Sequence, residues 1–358
     1  MNYKFFLYCL FLAIGFQCSA QIIVKPNDSH IHYMGRVAMT DSAAVLSWSA
    51  NSVKINFTGT SVKTMLMDER SDNNYDIIVD GKVLSVVHPL QEKKEYILAE
   101  GLPPGKHTLE LFKRTEWAMG KTWFYGFTID QGGKVLSATP TKKRKMEFFG
   151  NSITCGYADL DTTGKDRGTS PYEDGYISYA AITARHFDAE FYSTSKSGIG
   201  ITVSWFPLIM REMYDRLDAT DSLSKWDFSK YTPDVVVINL FQNDSWIVNL
   251  PDNAQFKERF GTKPPAPEFF IDAYSSFVKS VRGKYPKASI ICILGSMDAT
   301  KPGSPWPGYI QKAVDGLNDK KVYVHPIPYK NTPGHPSAKE QQAMADDLIE
   351  FIEQNIKW

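Results

Sequence analysis

Short runs in which apolar and polar positions alternate, or in which β-branched residues cluster, fill the chain from residue 30 to about residue 130. Asp80-Gly81 between two of these runs is a strong signal for a tight hairpin, and Pro103-Pro104-Gly105 marks another turn. No stretch in this part sustains a helical period. The predicted strands are 45–48, 52–57, 62–67, 75–79, 82–87, 96–99, 107–113 and 123–129. Short strands at this spacing predict an antiparallel β-sandwich or jelly roll.

Strand and helix patterns alternate in the second half of the chain, after a polar boundary at 131–145. Strands are predicted at 146–149, 190–193, 235–240, 289–294 and 322–327, and helices at 176–187, 208–217, 268–285, 309–317 and 338–356. These strands are apolar at nearly every position, which is typical of a parallel sheet covered on both faces. The pattern predicts a three-layer α/β domain with a five-stranded parallel sheet, whose ligand crevice lies at the carboxyl ends of the strands.

The first 20 residues resemble a secretory signal peptide. Lys4 precedes the apolar run 5–16, and Cys18-Ser19-Ala20 supplies small residues for cleavage before Gln21. The run is too short to span a bilayer comfortably, and a lipoprotein signal centred on Cys18 fits less well because Phe16-Gln17 is bulky. We therefore expect export to the periplasm, cell surface or medium without membrane insertion, a sandwich domain at 21–135 and an α/β domain at 141–358.

Composition narrows the class of protein further. The 358 residues include 40 Lys+Arg and 40 Asp+Glu, so the formal net charge is zero, which argues against binding nucleic acid through its phosphates. We see no His/Cys cluster with metal-ligand spacing and expect neither a metal nor another cofactor. Cys155 and Cys292 could pair in an oxidising compartment, but both lie in or beside predicted core strands, which favours buried thiols. No apolar stripe indicates an oligomer.

Four residues suited to hydrolytic chemistry follow the predicted parallel strands. Ser152 follows the first, Gly198 the second, Asn243 the third and His335 the fifth. Taken singly, a helix cap, a flexible turn or a loop residue would explain each of them. Together at one edge of the sheet they predict a Ser nucleophile, backbone and amide donors for an oxyanion, and a His base. His325 is a competing base, but it lies inside the fifth strand, where a structural role fits better.

These residues resemble the four that give the SGNH hydrolases their name. Within that superfamily the chain is most similar to carbohydrate esterase family 2, deacetylases that carry a β-sandwich before the hydrolase domain. The similar segments are Gly150-Asn151-Ser152-Ile153-Thr154, Ser197-Gly198, Asn243-Asp244, His335-Pro336, 75–81, 105–107 and 113–116. The resemblance implies an SGNH hydrolase domain at 141–358 that removes acetyl groups.

The mechanism that the resemblance implies is an acyl-enzyme route. Ser152 Oγ attacks an acetyl carbonyl while His335 removes its proton. The N–H groups of Ser152 and Gly198 and the amide of Asn243 then stabilise the oxyanion. His335 protonates the departing sugar hydroxyl, and water completes the cycle.

Two departures from the family pattern create further expectations. Phe241 stands where the family commonly has Gly, and we expect it to narrow the wall of the crevice. The acid that usually lies two or three residues before the His is missing, because Thr332-Pro333 occupies those positions. Either a backbone carbonyl orients His335 or an acid comes from elsewhere, for which Asp298 and Asp174 are candidates; Asp244 is expected to cap its own loop.

Several tryptophans are candidates for stacking on sugar rings. Trp205, Trp246 and Trp306 follow the second, third and fourth parallel strands, and packing under a loop is the alternative for each. Trp306 is the strongest candidate because it lies in a loop rich in Gly and Pro. The tryptophans expected in the sandwich core or between the domains are Trp48, Trp117 and Trp123.

The sequence thus predicts an exported carbohydrate O-acetyl esterase, whose partner is an acetylated plant polysaccharide or oligosaccharide of the xylan or mannan type. A GDSL-type lipase or phospholipase is an alternative on the same fold. A glycan-binding protein with decayed catalytic machinery is a third possibility, suggested by the missing acid. Preference for acetyl esters, preference for longer acyl esters, or glycan binding without turnover would distinguish the three.

Overall fold

Two antiparallel sheets form the first part of the computed structural model, which describes residues 21–358; the predicted signal peptide lies outside the described residues. The strands are β1 (Ile22–Val24), β2 (Ile31–Met34), β3 (Ala38–Met39), β4 (Ala44–Leu46), β5 (Ser52–Thr58), β6 (Val62–Asp68), β7 (Tyr75–Val79), β8 (Lys82–Val87), β9 (Lys94–Ala99), β10 (Lys106–Lys113), β11 (Thr122–Ile129) and β12 (Lys134–Val135). One sheet has the order β3-β4-β11-β6-β9 with β1 on β11, and the other β12-β5-β10-β7-β8 with β2 on β5. The predicted sandwich is confirmed.

Alternate side chains along each strand point inward and form the core between these two sheets. On β5, Val53, Ile55 and Phe57 are fully buried, and Ile55 lies opposite Leu109 of β10. The β7–β8 hairpin turns at Asp80-Gly81, where both residues have positive φ, as a tight turn of this kind requires. The strands that the sequence analysis missed have two to four residues, too few to display an alternating pattern.

Five parallel strands and their helices form the second part. The strands are β13 (Arg144–Gly150), β14 (Ala189–Ser195), β15 (Val235–Asn239), β16 (Ser289–Leu294) and β17 (Val322–Pro326). The helices are α1 (Ser152–Cys155), α2 (Tyr179–His186), α3 (Met210–Met213), α4 (Gln242–Ile247), α5 (Ala254–Phe260), α6 (Pro267–Lys284), α7 (Trp306–Asp315) and α8 (Ala338–Asn355). The strand order is β14-β13-β15-β16-β17, and every neighbouring pair is parallel.

Both faces of the parallel sheet are covered, as predicted. Phe149 on β13 packs in one apolar cluster with residues of α6 and α7, whereas the adjacent Phe148 packs in another with residues of α2 and α8. Of the helix predicted at 208–217, only the four residues of α3 are helical in the structure. Helices α1, α4 and α5 were not predicted. Helices of four to seven residues span at most two turns, so their sequences carry little periodicity.

A buried ion pair joins the sandwich to the parallel sheet. Arg36, after β2, lies 2.7 Å from the carboxylate of Glu147 on the central part of the sheet, and both side chains are buried. Glu147 also accepts hydrogen bonds from Thr194 and Tyr285, at 3.0 and 2.5 Å. Removing one partner of such a pair leaves an uncompensated buried charge, which costs about 3–5 kcal/mol of stability.

The tryptophans expected in the sandwich have different environments. Trp48 is buried between the two parts, and its Nε1 donates to the carbonyl of Leu217 at 2.8 Å. Trp117 also packs against the apolar cluster of the α/β part, whereas Trp123 is half-buried on β11. The first two are therefore interdomain residues.

Cys155 and Cys292 are free and buried, which confirms their interpretation as buried thiols. Burial raises the pKa of both Cys155 and Cys292, so neither thiol ionises readily.

Among residues 21–358, none of the helices combines the length and the apolar character needed to cross a bilayer.

Candidate active site

Ser152 and His335 lie within hydrogen-bonding distance at the carboxyl edge of the parallel sheet. Ser152 begins α1 directly after β13, and its Oγ is 2.8 Å from His335 Nε2. The side chain of Asn151 caps this helix by accepting from the N–H of Ile153. A Cβ on Gly150 would lie 2.0 Å from Thr154 Oγ1, so only glycine lets the chain turn from strand to helix here.

The acid beside His335 is Asp166, which the sequence analysis did not select. His335 Nδ1 lies 2.9 Å from Asp166 Oδ2, and the backbone N–H of His335 donates to Asp166 Oδ1 at 2.8 Å. Gly334 permits this approach, since a Cβ there would lie 3.1 Å from the carboxyl carbon. Hydrogen bonding from His335 lowers the pKa of Asp166. An ionised Asp166 requires Nδ1 to carry the proton, which leaves Nε2 free to accept from Ser152.

The two acids suggested from the sequence lie elsewhere, so that prediction was wrong. Asp298 accepts from Trp246 Nε1 at 3.2 Å, and Asp174 pairs with Arg114 at 3.2 Å. Asp166 instead comes from the polar loop at 161–168, far from His335 in sequence and without any periodicity that would have singled it out. The competing base His325 pairs with Asp347 at 2.6 Å on β17, which is consistent with a structural role.

Gly198 and Asn243 face the same cleft as Ser152. Gly198 has φ +80°, a conformation that other residues rarely adopt. Asn243, at 2% exposure, donates from Nδ2 to the carbonyl of Ile199 at 2.8 Å and accepts at Oδ1 from Trp205 Nε1 at 3.0 Å. An amide carries two N–H bonds, so one hydrogen of Nδ2 remains available for a ligand.

Asp244 holds the loop around Gly198, and not its own loop as predicted. Its carboxylate accepts from the backbone N–H groups of Ile201 and Thr202, at 3.0 and 2.7 Å, and from the hydroxyl of Thr202 at 2.6 Å. Gly200 lets the two segments meet, because a Cβ there would lie 2.5 Å from the carboxylate. The loop is therefore a fixed structure rather than a flexible turn.

The cleft has a volume of about 340 Å³ and an aromatic rim. Its lining residues are Ser152, Tyr157, Lys196, Ser197, Gly198, Trp205, Phe206, Asn243, Trp246 and His335. Trp205 is 45% exposed, so its ring is open to a ligand. Tyr157, which sequence analysis missed, packs on the imidazole of His335 with ring centres 4.4 Å apart.

Trp306, the strongest candidate for sugar stacking, is not part of the cleft. It is only 6% exposed and packs 5.0 Å from the ring of Phe241 and 5.1 Å from that of Phe270. Phe241 does not narrow the crevice either, because its side chain is fully buried in the same cluster. Phe241 has φ +91°, so it takes the left-handed backbone expected of glycine while its ring fills the core.

A buried carboxyl behind the cleft should make stability depend on pH. Burial, reinforced by the neighbouring carboxylates of Asp174 and Glu173, raises the pKa of Asp159 to about 10. The folded protein therefore keeps a proton that the unfolded chain releases above its pKa of about 3.9, so this group lowers stability as pH rises between these values. We expect Asp159→Asn to increase the midpoint of thermal unfolding more at pH 9 than at pH 5.

Thermal unfolding at both pH values, followed by circular dichroism, checks this expectation. Asp252→Asn, at a fully exposed position, controls for the loss of one negative charge from the surface. An Asp159→Asn difference that stays constant or decreases with pH would contradict the assignment of a protonated carboxyl.

Comparison with known proteins agrees with this fold. Residues 33–140 match the family model described as Carbohydrate esterase 2 N-terminal. A solved family two carbohydrate esterase from Clostridium thermocellum, in complex with cellohexaose, is 34% identical with a TM-score of 0.80, covering 90% of this chain and 98% of that one. The chain therefore has the fold of a carbohydrate esterase.

Curated relatives give the same family. Cellulase/esterase CelE of Acetivibrio thermocellus is 35% identical over 348 residues, 93% of this chain, although the chain spans only 40% of the length of CelE. An acetylxylan esterase / glucomannan deacetylase of Cellvibrio japonicus is 28% identical and covers 92% of each chain. The chain belongs to family 2 of the carbohydrate esterases, and hence to the carboxylic ester hydrolases.

Proposed function

We propose that the protein removes acetyl groups from the hydroxyls of a plant polysaccharide or oligosaccharide of the xylan or mannan type. The observation that carries this proposal is the 2.8 Å approach of Ser152 Oγ to His335 Nε2 in a cleft that also holds Gly198 and Asn243. The names of the Cellvibrio japonicus relatives, acetylxylan esterase / glucomannan deacetylase, support the choice of substrate.

The first half of the reaction forms an acetyl-enzyme. Ser152 Oγ attacks the acetyl carbonyl while His335 Nε2 takes its proton, and Asp166 stabilises the resulting imidazolium through Nδ1. Negative charge on the carbonyl oxygen is stabilised by the N–H groups of Ser152 and Gly198 and by the free N–H of Asn243. His335 then donates its proton to the sugar oxygen as the C–O bond breaks.

The second half hydrolyses that intermediate. Water loses a proton to His335 as it attacks the acetyl carbon, and collapse of the second oxyanion returns that proton to Ser152 Oγ and releases acetic acid, which ionises to acetate. The same three donors serve both oxyanions, since the carbonyl oxygen keeps its position throughout. No step requires a cofactor.

The aromatic rim is proposed to hold the sugar. Trp205 and Trp246 both line the cleft next to Ser152, and the polar edge of Trp246 is fixed by Asp298. An apolar ring face stacks on the C–H face of a pyranose while leaving its hydroxyls in water.

We also propose that the protein is exported, because its first 20 residues resemble a secretory signal peptide.

Acetate release from a panel of acetylated glycans tests the function, with Ser152→Ala as the blank. We expect release from acetylated xylan or glucomannan, and a preference for acetate over longer chains in a series of 4-nitrophenyl esters. A preference for long acyl chains would instead support the lipase, and glycan binding without any turnover would support the decayed binding protein. Either result would overturn the proposal.

A further inference from the structure

We propose that Glu116, a residue of the sandwich domain, is a positioning residue that holds the oxyanion donor Gly198 in place. Glu116 follows β10 and is 1% exposed, and its Oε2 accepts a hydrogen bond from the backbone N–H of Ser197 at 2.9 Å. Ser197 immediately precedes Gly198 in the cleft. The inference rests on the proposed esterase function, because it assigns Glu116 a role in that reaction.

The backbone around Gly198 is held on both sides. Glu116 fixes the N–H of Ser197 before it, and the carbonyl of Gly198 itself accepts from the N–H of Trp205 at 3.1 Å. Between these two anchors lies the peptide bond whose N–H belongs to Gly198. Glycine has the greatest backbone freedom of any residue, so without the first anchor this peptide bond could rotate away from the cleft. The direction of a donor decides how well it stabilises an oxyanion.

Glu116 is itself rigidly placed. Its backbone N–H donates to the carboxyl of Glu173, a residue of the α/β part. The fully buried Lys113 donates from Nζ to the carbonyl of Thr115 at 2.7 Å and to that of Glu116 at 3.3 Å. The segment 113–116 therefore extends from the sandwich to the back of the cleft, and these hydrogen bonds hold it in place.

The charges around Glu116 suit an acceptor role. Burial, and secondarily the negative charge of Glu116, raises the pKa of Glu173 well above its usual range, which favours the neutral form of Glu173 beside Glu116. The ammonium of Lys196 lies nearby, held 4.1 Å from the ring centre of Trp117 and 4.4 Å from that of Phe206.

A purely structural role for Glu116 is the alternative, since it is a buried residue at the interface of the two domains. Asn74 offers a matched control at the same interface. Its Nδ2 donates to the carbonyl of Ser170 at 2.9 Å, and it is also buried, but its side chain forms its hydrogen bonds with Ser170 and His88 and not with Ser197 or Gly198. If Glu116 only supports the interface, Glu116→Ala and Asn74→Ala should affect activity alike.

Steady-state hydrolysis of 4-nitrophenyl acetate by the full-length protein tests the role, at a temperature where all variants are folded. We expect Glu116→Ala to lower kcat by roughly 10- to 100-fold with little change in KM, as a displaced oxyanion donor should. Glu116→Gln keeps an oxygen that accepts from Ser197, so its kcat should stay within about threefold of the wild type. Asn74→Ala should lower the midpoint of thermal unfolding while kcat stays within the same limit.

Hydrogen–deuterium exchange provides a measurement that does not need turnover. Peptides covering residues 196–205 should exchange faster in Glu116→Ala than in the wild type or in Asn74→Ala. The positioning role is overturned if kcat of folded Glu116→Ala stays within twofold of the wild type, if Glu116→Gln loses as much as Glu116→Ala, or if exchange in this loop does not change. A wild-type protein without acetyl esterase activity would instead overturn the proposed function.

Discussion

Asp166→Asn is expected to lower kcat for acetyl ester hydrolysis by roughly 10⁴-fold, the usual effect of removing the charge from a serine-hydrolase triad. Asp166 contacts both Nδ1 and the backbone N–H of His335, so it fixes the tautomer and the direction of the ring. An amide at this position can donate to Nδ1 and so place the proton on Nε2, where it blocks acceptance from Ser152. It also cannot stabilise the imidazolium.

Asp347→Asn is the matched control for this prediction. Asp347 pairs with His325 at 2.6 Å in the same domain, but that histidine contacts no serine nucleophile. We expect the kcat of Asp347→Asn to remain close to that of the wild type. Initial rates with 4-nitrophenyl acetate measure both variants, and a loss of less than tenfold in Asp166→Asn would mean that the backbone alone orients His335.

Asn243→Ala is expected to lower kcat by roughly 10²- to 10³-fold, the usual effect of removing one side-chain donor from an oxyanion site. The amide of Asn243 is already oriented by Ile199 and Trp205, so its remaining N–H needs no reorganisation during the reaction. Substrate binding should change less than kcat, because charge develops on the carbonyl oxygen only in the transition state.

A second asparagine, just beyond the carboxyl end of α4, serves as the control. Asn249 donates from Nδ2 to the carbonyl of Ser245 at 2.8 Å and does not line the cleft. Asn249→Ala should therefore retain nearly all of the activity. If Asn243→Ala mainly raised KM and left kcat unchanged, its side chain would be a substrate-binding group and not an oxyanion donor.

Local patterns were sufficient to predict the longer strands and the edge of the sheet where the candidate site lies. The hairpin at Asp80-Gly81 and the apolar strands β13, β15 and β16 carry their signal within a few residues. Because parallel strands end at one edge, predicting them also placed Ser152 and Asn243 on the same side.

Properties that depend on distant contacts could not be predicted in this way. An irregular loop brings Asp166 to His335. Such a loop has no periodic sequence pattern from which this contact could be predicted. The sequence around Trp306 is typical of an exposed loop. The ring is nevertheless buried, because it packs on Phe241 and on Phe270 from α6. Phe241 itself occupies a backbone conformation that favours glycine, because its buried ring compensates for the strained φ.

The contact between Arg36 and Glu147 means that the two halves of the molecule are not interchangeable modules. A parallel sheet isolated from its sandwich would retain the carboxyl group of Glu147 in its core without Arg36 as its partner. Exchange of the sandwich for an unrelated accessory domain would have the same consequence. We therefore expect the two halves to unfold together, as one cooperative unit.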